Sequence, residues 1–118
     1  MRYLQVRNVT RNVELGPKVR VAKSLVDRTI GLLATPSLAP GEGLWISPCK
    51  SIHTFFMRFP IDALFLDAEG QVLDQKSLPP WRVTGWVSKC QGVLELSAGT
   101  ANRTGTRVGD RLEMKEVN

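Results

Sequence analysis

The chain has little of what announces chemistry most directly. It holds two cysteines, one histidine and one tyrosine in 118 residues. There is no paired C-x-x-C signature, and a metal site built on Cys49, His53 and Cys90 would still need a ligand such as Asp62 or Glu95, so neither a metal nor another cofactor is expected. Sparse cysteine with no secretory leader argues for two reduced thiols rather than a disulfide framework. No apolar run approaches the roughly 20 residues that span a bilayer, and Met1 to Arg7 lacks the apolar core of a signal peptide. The expectation is a soluble cytoplasmic protein with no membrane partner. Nor is charge concentrated: the net charge is +5, but the basic residues are scattered, which explains solubility and makes nucleic acid an unexpected partner. Repeats and low-complexity segments are absent, and the length suits a single compact domain over residues 1–118, able to bury roughly two thirds of its unfolded surface.

What the chain does have is density between Pro48 and Gly70. That stretch contains all four phenylalanines, the histidine and one cysteine. Alternation from His53 to Phe59 predicts a strand, which Pro60 ends for want of a ladder donor. Ile61 to Leu66 is apolar at nearly every position, the pattern of a strand covered on both faces, and Asp62 interrupts it. Asp67-Ala68-Glu69-Gly70 then reads as a turn leading to a returning strand from Val72.

Elsewhere, Tyr3 to Arg7 alternates as a strand. Val13 to Leu15 and Val19 to Ala22 read as a hairpin with Gly16-Pro17 at its tip. Ser24 and Asp27 form a capping box for a helix from Ser24 to Ala34, whose apolar face must lie on a sheet. Leu44 to Ile46, Val93 to Leu96 and Arg111 to Met114 are further strands, and Ser97 precedes a helical turn ended by Gly105. Between Leu78 and Gly92 lies a loop with two tryptophans and no period, the kind of segment that more often binds or covers something than fills space. The sum is an α+β fold, predominantly antiparallel β, with about eight short strands in a curved or barrel-like sheet and one main helix covering an opening.

Several of these residues, taken in order, resemble a known family. Ser24-x-x-Asp27-Arg28-x-x-Gly31-Leu32-Leu33, Gly43-Leu44, Phe55-Phe56-Met57, Pro60 to Asp67, Val93 to Gly99 and Gly109-Asp110 are similar to the domain of unknown function 192. The resemblance implies a compact, mostly β domain of bacteria and archaea, and it brings no assigned activity or catalytic residue.

Three sets of side chains are candidates for function. Cys49 and His53 would make a nucleophile and base if they met, but four residues of extended chain span about 13 Å, so the segment between them would have to bend sharply. Asp62 and Glu95 each interrupt an apolar strand. They read either as carboxylates sharing a pocket, with raised pKa values, or as structural groups paired to Arg28, Arg58 or Arg82 or to backbone donors. Trp45, Trp81, Trp86 and Phe56 could line a concave site in which Arg82 supplies charge. The expected function is a non-enzymatic binding module for a small anionic ligand or a partner peptide, with the site drawn from Trp81, Arg82, Trp86, Asp62, Glu95, Arg58, His53 and Cys49. The alternative is a small hydrolytic or thiol-dependent enzyme using Asp62 with Glu95 or Cys49 with His53.

Overall fold

Every side chain from Ile61 to Leu66 is buried, and the remaining elements are laid around this strand. The computed structural model describes residues 2–22 and 37–117. Its strands are β1 (Tyr3–Asn8), β2 (Val13–Ala22), β3 (Glu42–Ile46), β4 (Ile61–Leu66), β5 (Val72–Leu78), β6 (Gly92–Ser97) and β7 (Leu112–Val117), with a short helix, α1 (Thr100–Thr104), before the last. They form one seven-stranded sheet in the order β5-β4-β6-β3-β2-β1-β7. All neighbours are antiparallel except β2 and β3, and a parallel pair requires a crossover. The expected helix from Ser24 to Ala34 falls in that connection and lies outside the described residues.

The sheet is curved and not closed. Its outer strands approach at one corner, where Gln71 bridges Arg111 and Leu112 N donates to Gly70 O at 2.8 Å. A buried polar knot fastens the chain beside that corner. Asp110 accepts hydrogen bonds from Asn8 Nδ2 at 3.0 Å, Arg11 Nε at 2.9 Å and Arg107 N at 3.0 Å. The Arg11 guanidinium, helped by these other donors, lowers the Asp110 carboxyl to about 2.

Alternation along the strands creates two apolar clusters. Leu64, Leu66, Leu94 and Leu96 join Leu4, Val72 and Leu112 from the outer strands on one face, so the sheet wraps around this inner core. Ala63, Phe65, Val93 and Ile46 face the other way, beneath Ile52, Met57 and Cys90. Strand β4 is apolar throughout because both its faces are covered.

Two expected elements are corrected. Gly16-Pro17 is not a hairpin tip. Strand β2 runs through it, and the turn is at Val9 to Asn12. The register against β1 shifts between Leu4↔Val19 and Val6↔Gly16, so Pro17 sits in a bulge that needs no donor from it. His53 to Phe59 is not a strand either: beyond a single bridge from His53 to Val83 it turns, with Met57 N donating to Thr54 O at 3.2 Å.

Candidate recognition surface

The segment after β3 and the loop after β5 cross the outer core and bind each other, the loop rejoining the sheet where Gln91 N donates to Leu66 O at 2.7 Å. Thr54 is the centre of their contact and is fully buried. Its hydroxyl donates to Pro79 O at 2.7 Å and accepts from Arg82 N at 2.9 Å. Its N–H donates to Arg82 O at 2.7 Å, and its carbonyl accepts from Trp81 N at 3.0 Å. Two residues back, Ile52 exchanges bonds with Thr84, whose backbone N–H donates to Ile52 O at 2.9 Å and whose hydroxyl accepts from Ile52 N at 3.0 Å. Val87 N then donates to Lys50 O at 2.9 Å. With Ile52, Thr54 and Met57 turned inward, the residues between and after them face outward.

Those outward residues are aromatic. Trp81 is 55% exposed and Phe56 69%, with Phe55 exposed as well, and Val83 and Trp86, the latter 74% exposed, follow along the second loop. The Phe56 and Trp81 ring centroids are 4.7 Å apart, Phe55 and Trp81 6.0 Å, and His53 stacks on Phe55 at 5.2 Å. Backbone conformation holds this wall out: Phe56 has φ 65° and Trp81 φ 68°, a left-handed region that costs a bulky residue of order 1–3 kcal/mol. The two loops that carry the rings hold charge of one sign only. Residues 47–60 and 79–91 contain Lys50, Arg58, Arg82 and Lys89 and none of the 11 acidic residues. The remainder of the chain is therefore close to electrical balance.

The other candidates do not converge here. Asp62 stands opposite Leu96, and Glu95 stands opposite Ala63, so the two carboxylates point to opposite faces and the pocket they would share does not form. Asp62 is a fastener: Oδ1 accepts from Ser77 Oγ at 2.9 Å and Oδ2 from Ala101 N at 2.9 Å, tying β4 to β5 and α1. Glu95 lies on the outer-core face, 3% exposed, and loss of water raises its pKa to about 7. The His53 imidazole accepts from Phe55 N at 3.3 Å through Nδ1. The Cys49 thiol donates to Ser51 O at 3.1 Å and packs on the outer core. Trp45 packs against the inner core, away from the other tryptophans. Among the described residues no three His, Cys, Asp or Glu side chains group to hold a metal. Three open depressions on the surface include none of the eight predicted site residues.

Sequence reasoning placed Phe55 in a strand and passed over Val83. The signal that finds this surface is a joint one, the absence of Asp and Glu from both aromatic loops.

Residues 6–114 match the model of domain of unknown function 192, DUF192, described as Uncharacterized ACR. The chain belongs to the DUF192 family. A UPF0127 protein of Pyrococcus abyssi is 32% identical over 112 residues, covering 90% of this chain and 93% of that protein. One of Pyrococcus furiosus is 31% identical over 116 residues, covering 93% and 97%. Two crystal structures share the DUF192 chain's fold. A Sinorhizobium meliloti protein, provisionally described as a transcription regulator, superposes with TM-score 0.79 at 25% identity over 96% of this chain and 92% of its own. A protein of unknown function from Novosphingobium aromaticivorans gives 0.80 at 19% identity over 94% and 83%. No described helix is long and apolar enough to cross a membrane.

Proposed function

We propose that this DUF192 protein is a non-enzymatic recognition module that binds an anionic partner, a small molecule or a peptide, on the aromatic face of the crossed loops. The observation that carries the reading is the outward display of Phe56, Trp81 and Trp86 on backbone that two of them can adopt only under strain. Exposed rings of this size gain most from being covered, and strain of this kind collects where a surface is used. The enzymatic alternative has less support. Asp62 is occupied by two structural hydrogen bonds, Glu95 faces away from it, and the Cys49 thiol donates to Ser51 O. Two thiols suit a reducing compartment, so the cytoplasm is the proposed location.

Tryptophan emission tests this directly, because two of the three tryptophans lie in the surface. Titration with a panel of anionic metabolites and peptides is expected to shift the emission, with the shift lost in a Trp81→Ala, Trp86→Ala double variant. A ligand that shifts the emission of the double variant as it does the wild type, or a Cys49 thiol that reacts far faster than free cysteine and slows in His53→Ala, would remove the reading.

A further inference from the structure

We propose that the partner is a short acidic peptide segment of another protein, with an apolar or aromatic side chain against Trp81 and Phe56 and carboxylates against Arg58, Arg82 and Lys89. This rests on the aromatic face being the working surface.

Charge decides between occupants. A second copy of the chain is disfavoured by like charge. Twofold contact through this face would set four cations against four with no carboxylate from either loop to separate them. A long polyanion is disfavoured by the extent of the patch. Nucleic acid gains its affinity by neutralising many successive phosphates, whereas these two loops offer four cations and the rest of the chain intersperses acidic residues among its basic ones. A ligand with a few negative charges and an apolar side chain matches what is present. The loops' backbone groups are largely spent on each other, through Thr54, Ile52 and Lys50, so the peptide is held by its side chains and not by strand addition. Tryptophan and arginine are the residues that most often dominate such contacts.

The test is selection from a random-peptide display library on the intact protein, followed by affinity measurement with a recovered peptide. The expected outcome is enrichment of Asp and Glu together with Leu, Phe or Trp. For the recovered peptide, Trp86→Ala and Arg82→Glu should each weaken binding about tenfold or more, and binding should weaken with added salt. Trp86 is not among the positive-φ residues and Arg82 is exposed, so an unchanged thermal midpoint will show that both variants fold. Recovery of basic peptides, or equal affinity in both variants, overturns the proposal. So does tighter binding of oligothymidylate or of phosphatidylglycerol vesicles, although either result would leave the aromatic face as a recognition surface provided Trp86→Ala abolishes it. If peptide, oligonucleotide and vesicle all fail to bind, the peptide proposal falls, and the recognition reading falls with it when the panel of anionic metabolites also leaves the tryptophan emission unchanged.

Discussion

Glu95 and Asp110 are both buried carboxyl groups, and their surroundings drive them in opposite directions. Asp110 is met by three donors and stays ionised to about 2. It adds stability above its unfolded value, and that stability is lost as pH falls through 2. Glu95 is raised from 4.5 to about 7 by burial. Between those values the folded protein keeps a proton that the unfolded chain has released, so stability falls as pH rises through the window and levels off above it. The full effect is of the order of 3 kcal/mol. Glu95→Gln is therefore expected to raise the thermal midpoint at about pH 8 and change it little at about pH 4, where the wild-type carboxyl is already neutral. Calorimetry across that range checks this, and parallel curves for the two proteins would exclude it. The sequence marked Asp62 and Glu95 as carboxylates in apolar strands but left their facing open, because one residue of register decides it. Asp110 was legible only as part of a turn, since its partners Asn8 and Arg11 are distant in the chain.

At the scale of the element, β4, its turn at Asp67 and the return in β5 were readable because both covering layers leave a continuous apolar run. The alternation from His53 to Phe59 was real as a pattern, yet it described inward and outward positions in a segment bonded to another loop. Thr54 is what turns that pattern away from the sheet. Thr54→Val keeps the shape and removes the hydroxyl, leaving Arg82 N–H and Pro79 C=O without this partner, for an expected loss of about 1–3 kcal/mol. Hydrogen exchange should localise the effect: faster exchange at Arg82 and Trp81 with the strand amides unchanged. Uniform acceleration through β4 and β6 would mean that the loops are part of the global folding unit instead of a layer upon it.

For the whole molecule, strand order was beyond the sequence, because the pairings of β3 with β6 and β1 with β7 and the approach of β5 to β7 each join elements remote along the chain. Curvature is nonetheless tied to single residues. Gly70 has φ +85°, and a Cβ there would lie 2.4 Å from Leu112 O, whereas Gly99, with φ +90°, has open space around the same position. Both alanine substitutions incur the left-handed backbone cost of about 1–2 kcal/mol, but only Gly70→Ala also pushes the outer strands apart. In denaturant unfolding Gly70→Ala should lose more stability than Gly99→Ala, by about 1 kcal/mol or more, with protection lost at Leu112 N. Equal losses would show that the corner contact contributes nothing beyond backbone conformation, and the inner core alone would then have to account for the bend of the sheet.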